Sequence, residues 1–407
     1  MNRLPLEGIR VIDFGLILAI PHATQWLATM GAEVIKVESK AHPDTVRLGG
    51  ALMGAADKIP GPNRSGTFNS LHYSKKSCSI NMTKEKGREL ARRLIATADI
   101  VTENFTTPVT QRFGLTYEQL KQVKPDIILL SQSSMGRTGP LGDTVGWGPT
   151  NQAYSGLPML TGYEGGTPQS MGGTWPDYLI GVTGPFMMMT ALHHRDRTGE
   201  GQFIDLSMCE VVTGMIPQAI LDYQMNGRVR QPSGNKDPLM APHNLYRCAG
   251  KDQWVAIAVE TEQEWGAFCG AVGHPEWRTD ERFADAYARH RHEQEMDELI
   301  TQWTRERSPG EVAAWLQAAG VAAGPVLDTM GIITNPQLRH RGFFVTPDHP
   351  EVGPREVMGI PVLFSAIPEK RIEPAPLFDE HNDYVFKELL ELSGTEIEQL
   401  IEERVIY

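Results

Sequence analysis

The chain has 407 residues, which is enough for about two domains with separate hydrophobic cores. Hydrophobic residues make up 41% of the chain and charged residues 22%, as in an ordinary globular protein rather than a disordered or fibrous one. The formal net charge of −12 repels phosphate backbones, so the composition argues against nucleic-acid binding.

The cysteines and the N-terminal segment indicate in which cellular compartment the protein is expected. The four cysteines lack the spacing of a zinc or redox motif, so we expect reduced thiols and no metal. Residues 1–5 lead directly into a strand and lack the apolar stretch of a signal peptide. The most apolar helix, near 181–192, is too short to span a bilayer. We therefore predict a cytoplasmic protein that does not bind membranes.

Short apolar strands alternate with helices over the first half of the chain. Gly31 ends the first helix, and Thr116 with Gln119 forms a capping box for a later one. The alternation predicts an α/β protein with a doubly wound parallel sheet. Strands are predicted at 8–14, 33–38, 78–82, 99–102, 126–132 and 202–207, and helices at 21–30, 84–98, 177–195 and 210–224.

The second half of the chain changes in character near residues 228–242, a polar segment rich in proline that predicts a domain boundary. It is followed by a short strand at 254–259, several amphipathic helices and a terminal helix at 379–391. Two long segments, 40–73 and 136–176, are predicted to be irregular. Irregular segments of this length inside compact domains usually have a role in function or in an interface.

Several common catalytic motifs are absent. The sequence contains no phosphate-binding loop of the ATPase type, no complete dinucleotide fingerprint, no metalloprotease motif and no serine-hydrolase elbow. Activation by ATP is therefore not expected.

Residues 172–181, Gly-Gly-Thr-Trp-Pro-Asp-Tyr-Leu-Ile-Gly, carry the strongest chemical signal. They place Asp177 at the start of a long apolar helix, where free N–H groups and the helix dipole favour an ionised carboxylate. Such a carboxylate can attack a thioester to give a mixed anhydride. Aspartate is also a favoured helix-capping residue, so this segment alone leaves a purely structural role open.

Further segments form a specific pattern through their order and spacing. They are 6–13, 31–38, 75–77, 103–105, Gly139-Pro140, Asp177 with 195–208, 324–326 and 380–382. In this pattern the chain resembles the class III CoA-transferases, which include formyl-CoA transferase, carnitine CoA-transferase and succinyl-CoA-dependent aryl-acid CoA-transferases. The resemblance implies that Asp177 forms an aspartyl mixed anhydride and then an aspartyl-CoA thioester. Such a route needs no ATP.

The resemblance also implies residues that bind coenzyme A or acyl-CoA. Cationic side chains suit the phosphates of coenzyme A, and an aromatic ring can stack near adenine. Where several relatives carry arginine after the second strand, this chain has Ser39, and Lys40 is the expected replacement. The predicted CoA contacts are Lys75, Asn104, Phe105, Arg112 and Arg137, with Arg47 and Lys40 as weaker candidates.

The acid substrate is expected to meet His243, Trp147 and Trp175. His243 lies where relatives carry a loop over the active site, although an isolated histidine is often only structural. The two tryptophans lie in the irregular segment before Asp177 and could equally be loop packing. An apolar, aromatic pocket is expected, and the predicted acceptor is an aromatic acid such as benzylsuccinate, with succinyl-CoA as the predicted donor.

Two alternatives to a transferase remain open. The same fold supports 2-methylacyl-CoA racemases, which use an aspartate and a histidine. Trp147 stands where the histidine is expected, and an indole cannot act as a general base. The other alternative is a subunit without catalytic activity that binds CoA within a hetero-oligomer.

The resemblance implies an architecture as well. A large Rossmann-like domain is expected from 1–227 and 327–407, and a smaller α+β domain from 228–326. Two ring-like subunits are expected to interlock, either as a homodimer or with a related subunit in a hetero-oligomer.

Overall fold

The computed structural model describes residues 4–48, 59–367 and 370–407. The chain folds as two compact units, one formed by Met1–Leu157, Ser170–Gly227 and His340–Tyr407, the other by Pro158–Gln169 and Arg228–Arg339. The sequence-based domains, with boundaries at 227/228 and 326/327, stay a prediction. The second compact unit continues to Arg339 and also takes in residues 158–169.

A six-stranded parallel sheet forms the centre of the first unit. Its strands are β1 (Arg10–Asp13), β2 (Glu33–Glu38), β3 (Lys76–Ser79), β4 (Ile100–Glu103), β5 (Ile128–Ser133) and β6 (Phe203–Ser207). Their order across the sheet is β3-β2-β1-β4-β5-β6, which confirms the predicted parallel α/β class. Since the chain order reverses between β1 and β4, a ligand crevice is expected outside the carboxyl ends of these strands.

Helices pack on the sheet and against one another in the first unit. They are α1 (Ala19–Thr29), α2 (Thr45–Leu48), α3 (Gly66–His72), α4 (Glu85–Ile95), α5 (Thr107–Phe113), α6 (Tyr117–Val123), α7 (Gly148–Ser155), α8 (Trp175–Thr198), α9 (Met208–Thr213), α10 (Pro217–Asn226) and α17 (Gly394–Glu402). Helices α15 (Thr329–Thr334) and α16 (Pro336–His340) belong to the second unit, apart from His340. The capping box predicted at Thr116 and Gln119 is present at the start of α6.

Helices α1 and α8 approach each other closely, and this contact places the start of α8. A Cβ atom added to Gly181 would lie 1.9 Å from His22 Nδ1, and one added to Gly184 would lie 3.1 Å from the Ala23 Cβ. Both glycines therefore serve helix packing rather than the approach of a substrate. Buried apolar residues of α1, α8 and the sheet form one continuous core around this contact.

Several predicted boundaries were wrong, for local reasons. The third strand ends at Ser79 rather than residue 82, because Asn81 accepts hydrogen bonds from Thr83 and bends the chain. The helix predicted at 210–224 is two helices, since Pro217 cannot continue a preceding helix.

The segments predicted to be irregular also contain helices: α7 lies within 136–176, and α2 and α3 lie within 40–73, of which residues 49–58 are outside the described residues. In place of the helix predicted at 379–391, the structure has a short π-helix at Tyr384–Leu389. Asp379 has a φ of 60°, which a right-handed helix does not allow.

The second unit has its own sheet and core. Strands β7 (His243–Arg247), β8 (Trp254–Ala258) and β9 (Ala322–Pro325) form an antiparallel sheet in that order. Trp265 and Phe268 stack at the centre of its core, with ring centroids 5.5 Å apart. The other helices of the second unit are α11 (Glu262–Val272), α12 (Ala286–Arg291), α13 (Glu293–Thr304) and α14 (Pro309–Ala318).

The first unit also has four short strands near its C-terminal end. They are β10 (Phe344–Val345), β11 (Asp348–His349), β12 (Gly353–Pro354) and β13 (Val357–Met358).

Within residues 4–48, 59–367 and 370–407, no helix combines the length and apolar character needed to span a membrane. The same described ranges hold no cluster of three histidine, cysteine or acidic side chains arranged to bind a metal.

Candidate active site

A cavity of about 210 Å³ opens at the carboxyl ends of β1, β4 and β5 in the first unit. This is where the reversal of strand order predicts a ligand crevice. Of the residues predicted to act in catalysis or binding, the cavity brings together Asp177, Asn104, Phe105, Arg137 and Trp147. They come from four different parts of the chain, and the remaining predicted residues do not line it.

Asp177 lies in the first turn of α8, three residues after Thr174. Burial raises the pKa of its carboxyl to about 6, in spite of a backbone hydrogen bond that acts in the opposite direction. The predicted effect of the helix start is thus outweighed by desolvation, because few solvent contacts remain to stabilise the charge. The group is still mainly ionised at pH 7, and it is a stronger base than an exposed aspartate.

The segment Gly146-Trp147-Gly148 forms the wall beside Asp177. A Cβ atom at Gly148 would lie 2.8 Å from Asp177 Oδ2 and 2.5 Å from the Gly173 carbonyl oxygen. Only glycine fits at this position without displacing the carboxylate. Sequence reasoning considered Trp147 and missed its two flanking glycines, although a Gly-x-Gly pair in a loop is a recognised sign of close backbone approach.

Arg137 is held in the cavity wall by a buried network. Its Nη2 donates to Glu103 Oε1 at 2.9 Å and its Nε to Ser131 Oγ at 2.8 Å. Its backbone N–H donates to the carboxylate of Asp205 at 2.8 Å. The guanidinium therefore has one fixed orientation at the edge of the cavity.

Asn104 fixes the loop that follows β1. Its Oδ1 accepts from the Leu16 N–H at 2.8 Å, and its Nδ2 donates to the Leu16 carbonyl at 3.0 Å. The loop then places Ile17 in the cavity lining. Since both polar groups of the Asn104 amide bind the protein backbone, its position in the site serves to shape the crevice. Its predicted contact with CoA stays a prediction.

Phe105 lies between two cavities. It lines the one with Asp177 and also a smaller, mostly apolar one of about 90 Å³ near Val37, Ile80 and Phe113. Its ring meets Phe113 edge to face, with centroids 5.5 Å apart. The apolar surroundings are compatible with the predicted contact with adenine, which stays a prediction.

Lys75 and Arg47 are buried, with carboxylates as partners. Lys75 Nζ lies 3.3 Å from Asp13 Oδ2, and burial lowers its pKa to about 8 although Asp13 acts in the opposite direction. Arg47 Nε lies 2.7 Å from Glu38 Oε1, and its guanidinium stacks over the Phe68 ring. To reach a phosphate, either cation would have to leave these partners.

The other predicted residues lie outside this cavity. Lys40 and Arg112 are exposed cations, and their charged groups lie over the rings of Tyr407 and Phe113. Trp175 is half-buried at the first position of α8. His243 belongs to the second unit, where its Nδ1 lies 2.6 Å from the Asn235 carbonyl oxygen. The roles predicted for these residues stay predictions.

Comparison with known proteins identifies the family. The model of CoA-transferase family III matches residues 6–382 of the chain. The chain belongs to this family. The expected resemblance is thereby confirmed, and the protein is a CoA-transferase.

Relatives of this CoA-transferase match along its whole length. The succinyl-CoA–D-citramalate CoA-transferase of Chloroflexus aurantiacus is 31% identical, covering 99% of this chain and 98% of that protein. The succinate–glutarate CoA-transferase of Agrobacterium fabrum is also 31% identical, covering 96% and 97%. The crystal structure of a CAIB/BAIF family protein from Brucella suis has a TM-score of 0.86 at 30% identity, covering 95% of this chain and 100% of that one. Sequence similarity and structural similarity therefore indicate the same family.

Proposed function

We propose that this CoA-transferase moves coenzyme A from succinyl-CoA to a carboxylic acid, with Asp177 as the nucleophile. The observation that carries the proposal is the half-buried Asp177 carboxylate in the cavity, with a pKa of about 6. A carboxylate of this kind is ionised at neutral pH and, being poorly solvated, is more reactive than one in water. The relatives named for transfer from succinyl-CoA support the choice of donor.

Four chemical steps carry CoA from donor to acceptor. An oxygen of Asp177 attacks the thioester carbonyl carbon, the C–S bond breaks, and a mixed anhydride forms with release of the CoA thiolate. The thiolate attacks the Asp177 carbonyl carbon, which releases the donor acid and leaves an aspartyl-CoA thioester. The acceptor carboxylate attacks this thioester and releases the thiolate again. The thiolate then attacks the acceptor carbonyl of the second anhydride, which gives the new acyl-CoA and restores Asp177.

The pH dependence of the reaction follows from the raised pKa of Asp177. A protonated carboxyl cannot attack the thioester, so kcat/KM for succinyl-CoA should be level above about pH 7 and fall about tenfold per pH unit below about pH 6. Initial rates between pH 5 and 8 test this, a range in which the donor's own distal carboxylate stays mainly ionised. A profile that stays level down to pH 5 would contradict the role of Asp177 as the ionised nucleophile.

For the acceptor, we propose a substituted dicarboxylic acid. Relatives are named for D-citramalate, glutarate and L-malate, and Trp147, which lines the cavity, is 61% exposed and available to a ligand. Benzylsuccinate combines two carboxylates with an aromatic ring and is the acceptor that both observations favour. Succinyl-CoA incubated with a panel of acids, including benzylsuccinate, glutarate, malate and butyrate, tests this by mass spectrometry of the thioesters formed. Transfer to butyrate alone would overturn the choice of a dicarboxylic acceptor.

The racemase alternative gains no support from the site. Among the described residues that line the cavity with Asp177, none is a histidine. The interlocked dimer stays a proposal, either as a homodimer or with a related subunit. Two relatives are named as the alpha and beta subunits of one CoA-transferase, and α8 exposes Val182 and Phe186 in this chain. Exposed apolar side chains on one helix are typical of an interface.

A further inference from the structure

Only some of the N–H groups of the Arg137 guanidinium form hydrogen bonds within the described parts of the protein. Its Nε and Nη2 bind Ser131 and Glu103, while Nη1 has no hydrogen-bond partner within the described parts of the chain. The side chain is 11% exposed and lines the cavity that contains Asp177. An arginine in this state can offer N–H groups from a fixed position to an anion in the cavity.

Glu103 determines this orientation. Its side chain is fully buried, and its Oε1 accepts from Arg137 Nη2 and from the hydroxyl of Ser131. Its Oε2 accepts from the Phe105 N–H at 2.7 Å and from Thr110 Oγ1 at 3.2 Å. Because both oxygens of the carboxylate are bound to groups of the protein, in β5, after β4 and in α5, Glu103 holds the guanidinium in place rather than acting on a ligand itself.

Two hydroxyl groups of the same cavity also lack partners. Ser133 Oγ and Thr107 Oγ1 are buried and make no hydrogen bond with the residues that the structure describes, and both residues line the cavity. Buried polar atoms are rarely left without a partner, so such atoms in a cavity point to a ligand that completes them. A hydroxyl can donate to a carboxylate oxygen.

The charges of the lining residues favour the same ligand. Asp177 and Asp143 are acidic, and Arg137 is the one cationic side chain among the described residues that line the cavity. A second carboxylate would be repelled by both aspartates unless a cation offsets them. Of the described lining residues, Arg137 alone is cationic, and although Glu103 balances its charge, its Nη1 can still donate to a carboxylate.

From these observations we propose that Arg137 binds the second carboxylate of a dicarboxylic substrate, with Glu103 as the residue that positions it. The inference rests on the proposed transfer by Asp177, since it assigns the substrate class of the same site. It gives Arg137 a ligand different from the phosphates of CoA that the family resemblance implied. The two ligands can be separated, because all acyl-CoA donors share the phosphates while only some carry a distal carboxylate.

The test compares succinyl-CoA with butyryl-CoA, which has a methyl group in place of the distal carboxylate. Exchange of each thioester with its own ¹³C-labelled acid, followed by mass spectrometry, gives kcat/KM without knowledge of the natural acceptor. In Arg137→Met, the ratio of kcat/KM for succinyl-CoA to that for butyryl-CoA should fall by roughly 10- to 100-fold, the range for a lost hydrogen bond to a charged group. In Glu103→Gln, the ratio should fall in the same direction.

Two further variants control for a loss of stability and for an effect that any partly buried arginine would have. Arg137→Met leaves Glu103 buried without its cation and could lose stability, so the double variant Glu103→Gln/Arg137→Met removes both charges together. Arg195→Met is the matched control, because Arg195 is 10% exposed and pairs with Asp99 at 2.9 Å but does not line the cavity. The ratio should fall in the double variant and stay unchanged in Arg195→Met.

Calorimetric binding of succinate and butyrate separates this inference from the proposed transfer. If the wild type exchanges neither thioester but binds succinate more tightly than butyrate through Arg137, the transfer proposal fails and the carboxylate subsite stands. An equal loss of both exchange reactions in Arg137→Met would mean a contact with the CoA portion and would overturn the inference. So would an unchanged ratio in the double variant, or a wild type that does not prefer succinate.

Discussion

Asp177→Asn is expected to lower CoA transfer by at least about 10⁴-fold, because an amide cannot form the anhydride or the thioester. Asparagine has nearly the same shape as aspartate, so substrate binding should change little. The measurement is the formation of labelled acyl-CoA by mass spectrometry, with Asp177→Ala beside it to exclude activity regained by deamidation. Asp196→Asn, on the exposed far end of the same helix, is the control and should keep full activity.

The stability of Asp177→Asn should distinguish loss of chemistry from loss of fold. The pKa of Asp177 is raised in the folded state from its ordinary 3.8 to about 6, so stability is lost as the pH rises through this range and the full cost is present above it. Removing the charge should leave the free energy of unfolding at pH 8 equal to or higher than that of the wild type. An inactive variant that is also strongly destabilised would not support a chemical role.

Trapping identifies the residue that carries the intermediate. Hydroxylamine added during turnover should convert an acylated or CoA-bound Asp177 into a hydroxamate, which peptide mass spectrometry can locate. Label at another carboxylate would assign the nucleophile elsewhere. No label with a competent donor present would favour a subunit that binds CoA without catalysis.

Gly148→Ala is expected to lower kcat/KM by about 10²-fold while the protein still folds. The added methyl group would lie 2.8 Å from Asp177 Oδ2 and 2.5 Å from the Gly173 carbonyl oxygen, closer than van der Waals contact allows. The carboxylate must then shift, and displacement of a reacting group by about 1 Å can reduce a rate by about this factor. Initial rates and the urea midpoint should be measured together.

A matched glycine shows that the effect is local. Gly270 is helical and exposed, and a Cβ atom there would meet no atom within 4 Å. Gly270→Ala should therefore keep wild-type activity and gain slightly in stability, since alanine has the higher helix propensity. Full activity in Gly148→Ala would mean that the position of the Asp177 carboxylate is not critical.

Sequence patterns were sufficient to predict strands and helices whose hydrophobic pattern is local and is repeated along the chain. The strand predicted at 126–132 contains the continuous apolar run Ile127 to Leu130, and such runs alternate with helices along the chain, so the pattern predicted the sheet. The last helix, Gly394–Glu402, was missed although Ser393 and Glu396 form a capping box that was readable in advance. This helix was therefore predictable from the local sequence.

Partners that are far apart in the chain could not be predicted. Lys75 and Asp13 are 62 positions apart, and nothing near either residue indicates that they meet in the core. Lysine and arginine in a binding motif look the same whether their charge faces a ligand or a buried carboxylate. The same holds for Glu103, whose importance depends on Arg137, 34 positions later.

The amino-acid sequence by itself determined the α/β class, the family and the candidate nucleophile, because these depend on hydrophobic periodicity and on the order and spacing of short motifs along the chain. Only the tertiary structure decided which predicted residues share a cavity, which cations are already neutralised, and that Gly148 lies against the carboxylate of Asp177. Desolvation and charge pairing act through space. The pKa of Asp177 and the hydrogen bonds that fix the Arg137 guanidinium therefore depend on neighbours that only folding brings together.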